Sequence, residues 1–519
     1  MSQAAEDAIA RMIDSLTDWL RETVAAGADL VADSRALKPG DVFVALPGHS
    51  VDGRDFIDQA IAAGAAAVVY EAGTDRPAPS VPHREVYGLA GFAGRLAAAW
   101  YGDPSSRLRV VAVTGTNGKT SCTQWIARGL AESGRKAAVI GTLGSGIVSA
   151  GTSAVLLESF GLTTPDAISL QRMLARFVAA EVEVVAIEAS SIGIVQGRLD
   201  GLRVEIAVFT NFSRDHLDFH GDEQSYLAAK LRLFGWPGLR TAIINGDDPV
   251  APAVLDSVVD GAATVAFGQL PGEHGWRARK KISAWQIADR PQTMDVSIGG
   301  DFGRAQISLS VLGRFNVVNA TAVAAVWLTL GMAFDEAMQR LEALRPIPGR
   351  MQRLGQGDSP LVVVDYAHSP DALMKVLHAL RAVSGARGGY LWCVFGAGGD
   401  RDPGKRPLMG AVAERHADRV VVTSDNPRSE TPFRIVSDIR SGLTREPWLT
   451  ELDRREAIRR TLEAASTGDV VLIAGKGHED YQEIAGVRHK YSDVETVREL
   501  LDELYPSGPG DRVEGSGDV

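Results

Sequence analysis

The hydrophobic pattern from Leu108 onward alternates short β-branched runs with longer stretches in which apolar residues recur every three or four positions. The runs are apolar throughout, which is typical of parallel strands that helices cover on both faces. The stretches between them have the spacing of amphipathic helices. The pattern predicts an α/β domain with strands at 110–113, 184–187, 206–209 and 242–244 and helices at 167–180 and 225–234.

A second series of the same kind begins after the Pro-Ile-Pro-Gly segment at 346–349, which breaks the preceding helix and suits a linker. Its predicted strands are 361–364, 391–395, 419–423 and 470–474, and its predicted helices are 371–383, 406–416 and 454–464. The first hundred residues contain a helix, an apolar segment at 41–45, and a helix that leads into a strand over 57–70.

We therefore expect a three-domain α/β protein with domains at 1–104, 105–346 and 347–505. The remaining tail, 506–519, is rich in Gly, Pro, Ser and Asp and has little to bury, so we expect it to be disordered. No internal repeat is apparent.

The charge balance narrows the function classes. Lys and Arg total 54 against 65 Asp and Glu, a formal net charge of −11, which argues against a protein that coats nucleic acid or anionic membrane. The two cysteines, Cys122 and Cys393, are far apart, so neither a zinc site nor a disulfide framework is expected. No apolar run reaches the roughly 18 residues that span a bilayer, and the first residues lack a signal-peptide pattern. We expect a cytoplasmic protein.

The most informative segment joins the strand at 110–113 to a helix through a glycine-rich turn. Glycines let backbone N–H groups converge on phosphate oxygens, Lys119 supplies a cation, and Thr120 can reach Mg²⁺. Val113 stands where the generic phosphate loop has its first glycine, so a turn that contains Gly-Lys-Thr by chance is the alternative. The segment predicts an ATP site formed by Gly115, Thr116, Asn117, Gly118, Lys119, Thr120 and Ser121.

This Gly-Thr-Asn-Gly-Lys-Thr sequence resembles that of the Mur ligases, the ATP-dependent enzymes that build the peptide of the bacterial cell wall, and of their relative folylpolyglutamate synthase. The resemblance runs through most of the chain. It implies an N-terminal UDP-binding α/β domain, a central P-loop-type ATPase α/β domain, and a C-terminal Rossmann-like α/β domain that binds the incoming amino acid. It also implies that Asn319, Arg350 and Asp365 contact the nucleotide, although a helix cap or a linker charge would explain each of them.

Two side chains follow buried strands in this pattern, where α/β proteins place their ligands: Glu188 and His216. The resemblance implies that both help to hold Mg²⁺ together with Thr120. Lys230 resembles the lysine that several Mur ligases carry as a carbamate (N6-carboxylysine), an anion that can coordinate a second Mg²⁺. From the residues alone, Lys230 is more typical of a lysine on the surface of a helix, and it is the resemblance that favours the carbamate.

The N-terminal Asp-Ser-Arg at 33–35 and the loop at 48–53 resemble the UDP-binding domain of the family. The resemblance implies contacts to UDP from Ser34, His49, Ser50 and Val51. It implies that the muramoyl-dipeptide is held by Thr163, Thr164, Ser190, Gln196 and Arg198. Leu162 and Ile192 depart from the family pattern, in which a polar residue and a histidine are common at these positions.

The segment Asp425, Asn426, Pro427 and Arg428 follows the predicted strand at 419–423. An arginine binds a carboxylate through two parallel hydrogen bonds and would repel an ammonium group in the same place. The pocket therefore suits an amino acid with a distal carboxylate, although the same sequence is also an ordinary turn signal. Family members with this motif add meso-diaminopimelate, and the resemblance adds Arg401, Gly475 and Glu479 to that site.

The resemblance thus implies an ATP-dependent ligase that joins meso-2,6-diaminopimelate to UDP-N-acetylmuramoyl-L-alanyl-D-glutamate through an acyl phosphate. Its expected cofactor is Mg²⁺, with ATP as co-substrate. It is expected to act as a monomer on small-molecule substrates, without nucleic acid and without membrane insertion. Addition of L-lysine, folylpolyglutamate synthesis, and a non-catalytic nucleotide-binding regulatory role remain alternatives.

Overall fold

The computed structural model describes residues 3–48, 51–73, 77–151, 161–269, 277–289, 293–355 and 357–506. Its N-terminal part is a parallel four-stranded sheet in the order β1-β2-β3-β4. The elements are α1 Gln3–Thr23, β1 Leu30–Val31, β2 Val42–Ala45, α2 Ile57–Ala62, β3 Ala67–Glu71, β4 His83–Val86 and α3 Ala93–Trp100.

The central part is a ten-stranded sheet in the order β14-β13-β12-β11-β10-β9-β5-β8-β6-β7. Strands β12 to β6 in this order run parallel, and antiparallel strands close both edges. The strands are β5 Arg109–Thr114, β6 Ala137–Gly141, β7 Gly144–Val148, β8 Val184–Glu188, β9 Ile206–Phe209, β10 Thr241–Asn245, β11 Ala263–Gly268, β12 Lys280–Asp289, β13 Met294–Gly300 and β14 Gly303–Leu309. The helices are α4 Lys119–Glu132, α5 Ala167–Ala179, α6 Ser191–Val195, α7 Leu217–His220, α8 Glu223–Leu231, α9 Ala251–Asp256, α10 Arg314–Thr329 and α11 Phe334–Glu342.

Close packing of α4 against α10 fixes the helix that follows the phosphate loop. A Cβ atom on Gly129 would lie 2.0 Å from the ring of Trp327, so only glycine allows the two helices to approach this far. The indole of Trp327 also donates a hydrogen bond to the Ile126 carbonyl at 3.1 Å. Both tryptophans at this contact, Trp125 and Trp327, are buried.

The C-terminal part is a six-stranded sheet in the order β15-β16-β20-β17-β18-β19, parallel except for β15. A separate two-stranded hairpin follows β20. The strands are β15 Gln352–Leu354, β16 Leu361–Asp365, β17 Leu391–Phe395, β18 Arg419–Val422, β19 Leu449–Thr450, β20 Val470–Ala474, β21 Tyr481–Ile484 and β22 Val487–Lys490. The helices are α12 Pro370–Arg387, α13 Lys405–His416, α14 Pro432–Arg440, α15 Arg454–Ala464 and α16 Asp493–Leu504.

The predicted α/β class is confirmed, and the uniformly apolar runs form strands at or within one residue of the predicted positions. The helix predicted at 225–234 begins at Glu223 and ends earlier, at Leu231, and the turn that follows it carries the buried residues Leu233 and Phe234. The domain boundaries stay a prediction. Apart from Pro506, the predicted tail lies outside the described residues. Within the described ranges, no helix is long and apolar enough to cross a membrane.

Candidate active site

The phosphate loop joins the end of β5 to the start of α4. Gly115 and Gly118 adopt φ values of +144° and +88°, which favour glycine. The Lys119 Nζ donates to the carbonyl oxygens of Gly115 at 3.0 Å and Thr116 at 2.9 Å, so the ammonium group folds back over the loop. Burial lowers the pKa of Lys119. The loop therefore holds the Lys119 cation against two of its own carbonyl oxygens, within the segment predicted to bind phosphate.

Glu188, at the end of β8, is 1% exposed and lies beside this loop. Its Oε2 accepts from the Thr120 hydroxyl at 3.1 Å and from the Thr142 hydroxyl at 3.2 Å, and its Oε1 accepts from the Thr142 N–H at 2.8 Å. Thr163 is joined to the same group because its Oγ1 lies 3.1 Å from that of Thr142. The carboxylate is thus fixed next to the predicted Mg²⁺ ligand Thr120.

Lys230 on α8 is buried at the same loop, which excludes the surface-helix alternative. Its Nζ donates to the Gly115 carbonyl at 2.9 Å and lies 4.2 Å from the centroid of the Tyr226 ring. The Tyr226 hydroxyl donates to Thr116 Oγ1 at 3.2 Å, which fixes the ring against the loop. Burial, and then the charge of Lys119, lower the pKa of Lys230 well below its ordinary value.

His216 immediately precedes α7 and has a left-handed backbone, φ +54°. Burial lowers the pKa of its ring to about 3, so the imidazole is neutral at neutral pH, the form that binds metals. Its neighbour Asp215 is 3.6 Å from the Nζ of Lys405 and 3.5 Å from the Nε2 of His368. Burial raises the pKa of Asp215, but the His368 hydrogen bond and the charges around the carboxylate bring it well below its usual range.

The residues assigned to Mg²⁺ offer a hydroxyl, a carboxylate and a neutral imidazole from Thr120, Glu188 and His216. Among the described residues, no group of three or more His, Cys, Asp or Glu side chains could hold a metal ion by itself. A sparse protein set fits a hard cation that takes most of its ligands from phosphate and water. The residues therefore fit Mg²⁺ bound together with a nucleotide.

A cavity of about 1100 Å³ opens beside the phosphate loop, large enough for a nucleotide. Asn319 from α10 lines this cavity and packs against the phosphate loop. A Cβ on Gly118 would lie 2.6 Å from the Asn319 Oδ1. Asp365, at the end of β16, accepts from the N–H groups of Met351 at 2.7 Å and Ala367 at 2.8 Å, and burial raises its pKa. The predicted ATP residues in the cavity wall are Asn117, Gly118, Thr120, Ser121, Asn319, Arg350 and Asp365.

Arg350 links the C-terminal part to the phosphate loop. Its Nη2 donates to Thr120 Oγ1 at 3.1 Å, and its guanidinium lies 4.3 Å from the centroid of the Tyr366 ring. A cation stacked in this way keeps its charge beside the predicted triphosphate.

The residues predicted to hold the dipeptide form a connected network. Arg198 donates to the Thr164 carbonyl at 2.8 Å and to Gln196 Oε1 at 2.5 Å. The Thr164 hydroxyl donates to the Glu188 carbonyl at 2.8 Å and lies 2.9 Å from Ser190 Oγ. The network therefore continues to the strand end that carries the Glu188 carboxylate.

The residues predicted to contact UDP are described only in part. Ser34 is buried and its hydroxyl donates to Gln59 Oε1 at 3.3 Å. Val51 is exposed. His49 and Ser50 lie outside the described residues, so their predicted contacts stay a prediction.

The predicted amino-acid site lies at the carboxyl ends of β18 and β20. Asn426 donates to Glu479 Oε2 at 2.8 Å, and Lys476 Nζ donates to Asn426 Oδ1 and to Glu479 Oε2, both at 3.0 Å. Gly475 has φ +118°, and a Cβ there would lie 2.3 Å from Asp425 Oδ2. Burial raises the pKa of Asp425, but the charges of Lys476 and then of Arg454 outweigh burial, so the pKa lies below its usual value.

Arg428 is half-buried at the edge of this cluster. Its Nη1 donates to the Gly399 carbonyl at 2.7 Å, and Pro427 packs so closely on Gly399 that a Cβ there would lie 2.0 Å from the Pro427 carbonyl oxygen. In the part of the chain that the structure describes, Arg428 has no carboxylate within ion-pair distance. Arg401 is more exposed, and its Nη1 lies 4.0 Å from Asp218 Oδ2.

Contacts between the central and C-terminal parts were missed by the sequence reasoning. Asn117 donates to Asp371 at 3.2 Å, across 254 positions, and Arg214 donates to Asp402 at 3.2 Å, across 188 positions. Residues so far apart in the sequence do not share a motif, so no motif could link them. Their positions were the one sequence signal, because Asp371, Asp402 and Lys405 lie close in sequence to the predicted site residues Asp365 and Arg401.

Family models match three consecutive parts of the chain. They are the Mur ligase family catalytic domain at residues 30–101, the Mur ligase middle domain at 113–327 and the Mur ligase glutamate ligase domain at 349–477. A protein from Ralstonia nicotianae is 49% identical over 95% of this chain and 96% of its own length. The chain belongs to the Mur ligase family.

That relative, and one from Pseudomonas aeruginosa that is 46% identical over 91% of this chain and 94% of its own, are named UDP-N-acetylmuramoyl-L-alanyl-D-glutamate–2,6-diaminopimelate ligase. A solved structure with this name is 36% identical, covers 92% of this chain and 95% of its own, and has a TM-score of 0.62. A Thermotoga maritima Mur ligase solved with ADP has a TM-score of 0.64 at 21% identity, covering 92% of this chain and 97% of its own, which establishes likeness of fold.

Proposed function

We propose that this Mur ligase joins meso-2,6-diaminopimelate to UDP-N-acetylmuramoyl-L-alanyl-D-glutamate and converts ATP to ADP and phosphate. The names of relatives at 42–49% identity over most of the chain support this substrate pair. We further propose that the enzyme works in the cytoplasm as a monomer, with residues 1–104, 105–346 and 347–505 as its UDP-sugar, ATP and amino-acid domains.

Arg428 is the observation that carries the choice of amino acid. A half-buried guanidinium without a protein carboxylate partner, among the described residues, suits an anionic group of a ligand. L-Lysine would bring an ammonium group to the same place and would be repelled. The far end of meso-diaminopimelate instead carries both a carboxylate and an ammonium group, and we assign the latter to Gly475 and to Glu479, which Asn426 and Lys476 hold in place.

In the proposed reaction, the γ-carboxylate of the dipeptide attacks the γ-phosphorus of ATP, and the bond to the bridging oxygen of ADP breaks. The amine of diaminopimelate then attacks the carbonyl carbon of the acyl phosphate, phosphate leaves, and the nitrogen loses a proton. Lys119 and Arg350 hold positive charge where the two anions meet, which reduces their repulsion.

Mg²⁺ would be held by Thr120, Glu188, His216 and the carbamate form of Lys230, and its chemistry is to neutralise charge on the phosphates. The protein groups do the positioning. Glu188 is fixed by Thr120 and Thr142, so its carboxylate does not need to reorganise when the nucleotide binds.

A phosphate-release assay with single substrates omitted tests this function. We expect phosphate only when ATP, UDP-dipeptide and meso-diaminopimelate are all present, and little when L-lysine replaces diaminopimelate. If the enzyme preferred L-lysine, or used a folate and glutamate, the proposed substrates would be wrong. Nucleotide binding with no ligation under any combination would support a regulatory protein instead.

A further inference from the structure

The hairpin β21–β22 pairs with neither large sheet, yet it contacts the Asp425–Arg428 segment at several points. A single isolated bridge joins Arg428 to Ile484. The Arg428 N–H donates to the Glu483 carbonyl at 3.0 Å, and the Ala485 N–H donates to the Arg428 carbonyl at 2.7 Å. Both main-chain groups of Arg428 are therefore bound to the hairpin.

These bonds join two residues in an unusual backbone conformation. Arg428 has φ +52° and Ala485 has φ +49°, a left-handed region that side chains with a Cβ disfavour. Ala485 and Gly486 form the turn of the hairpin, with Gly486 at φ +77°. Residues with a Cβ disfavour this conformation, and the two hydrogen bonds offset part of its cost at both positions.

The hairpin also binds the residues that precede Arg428. Gln482 Nε2 donates to the Asp425 carbonyl at 2.7 Å, and the Glu483 N–H donates to Asn426 Oδ1 at 3.0 Å. The Gln482 side chain is half-buried, and the partner strand β22 is exposed throughout. The strand β21 is therefore the side of the hairpin that supports the segment.

We infer that the hairpin β21–β22 positions the arginine that recognises the distal carboxylate of the amino acid, and that Gln482 is a positioning residue for this specificity. The inference rests on the proposed function, because Arg428 must first be the carboxylate-binding group. Gln482 does not touch the substrate in this role. It fixes the Asp425 carbonyl, which sets the path of the backbone to Arg428 and so the direction of its guanidinium.

The test is Gln482→Met, which keeps the length of the side chain and removes its donor. We expect the KM for meso-diaminopimelate to rise about fivefold to tenfold, since the carbonyl of the buried residue Asp425 loses its partner and Arg428 becomes mobile. The preference for diaminopimelate over L-lysine should fall by a similar factor. The KM values for ATP and UDP-dipeptide should stay within about twofold of wild type, because Asp425, which Gln482 binds, neither lines the cavity beside the phosphate loop nor belongs to the residues predicted to hold the UDP-dipeptide.

His489→Ala is the matched control, since His489 pairs with Gln482 in the hairpin but is exposed, and it should behave as wild type. An unchanged KM for diaminopimelate in Gln482→Met would overturn the inference. Equal losses for all three substrates would do so as well, because they would indicate general destabilisation. Wild-type enzyme that does not use diaminopimelate would instead refute the proposed function, so the two failures are distinguishable.

Discussion

Lys119 and Lys230 donate to the same carbonyl oxygen, that of Gly115, at 3.0 and 2.9 Å. Two ammonium groups that share one acceptor in a buried site repel each other strongly. The depressed pKa values of both lysines follow from this burial, and the pKa of Lys230 is lowered further by the charge of Lys119. The repulsion between the two ammonium groups disappears if Lys230 loses its positive charge.

We predict that Lys230 reacts with carbon dioxide, because only a neutral amine can do so and its low pKa supplies one. Activity should fall when bicarbonate is removed and recover when it is added. A ¹³C NMR signal from labelled bicarbonate should appear in wild type and be absent from Lys230→Arg, which should also lose activity by about 100-fold or more. Lys490→Arg, a change at an exposed lysine, should retain both the carbamate signal and the activity. Bicarbonate-independent activity without a carbamate signal would contradict the prediction.

Arg428→Ala should abolish the preference for diaminopimelate. Removal of a charge-assisted pair should raise the KM for this amino acid by at least about tenfold, which corresponds to about 1.4 kcal/mol of binding. Arg428→Lys should recover only part of this, since an ammonium group cannot form two parallel bonds to a carboxylate. Steady-state kinetics with diaminopimelate and L-lysine measure the ratio. Arg434→Ala, on an exposed surface of α14, is the control. Retained selectivity in Arg428→Ala would mean that other groups choose the amino acid.

Arg454 lies fully buried beneath this pocket and forms a bidentate pair with Asp493 at 2.8 Å. It also donates to the carbonyls of Ser424 at 3.0 Å and Ala474 at 2.9 Å, the residues just before Asp425 and Gly475. It thus joins the ends of the two strands that carry the pocket.

Arg454→Met should lower the free energy of unfolding by about 3–5 kcal/mol, because it leaves the Asp493 carboxylate buried without a partner. The neighbouring Arg455→Met, which removes an exposed pair with Glu499, should cost about 1 kcal/mol or less. Urea unfolding of both variants measures the difference. Similar losses in the two variants would show that the buried pair contributes little.

The strands that could be predicted from the sequence are ones in which all or nearly all residues are buried. The strand β17 could be located from its sequence because every residue of it is buried. The strand β14 could not, because exposed and buried positions are mixed along it and its pairing with β13 places it at the edge of the sheet. An edge strand lacks the continuous apolar run of a central one.

The site was predictable to the extent that its residues lie in short motifs. The loop at Lys119 and the end of β8 at Glu188 could be recognised locally. The burial of Lys230 could not be derived from helical spacing, because it depends on contacts 115 positions away. The support of Arg428 by the hairpin was missed for the same reason. No sequence pattern indicates that the backbone of this arginine is left-handed.

His478, which packs on Tyr366 with ring centroids 5.3 Å apart, contributes to the pH dependence of stability. Burial, and then the charges of Arg350 and Lys476, lower the pKa of His478 from 6.5 to about 3. Between these values the unfolded chain binds a proton that the folded protein does not. The free energy of unfolding should therefore rise with pH in this window and fall as the solution is acidified.

Replacement of His478 by Gln should reduce this slope, because it removes one of the groups that must stay neutral in the folded protein. Urea unfolding midpoints measured between about pH 5 and pH 7 give the slope directly. His489→Gln, at an exposed position of the hairpin, should leave it unchanged. His216, whose pKa is also lowered to about 3, contributes in the same direction, so His478→Gln should flatten the dependence rather than abolish it. A His478→Gln variant with the wild-type slope would show that this ring does not control acid stability.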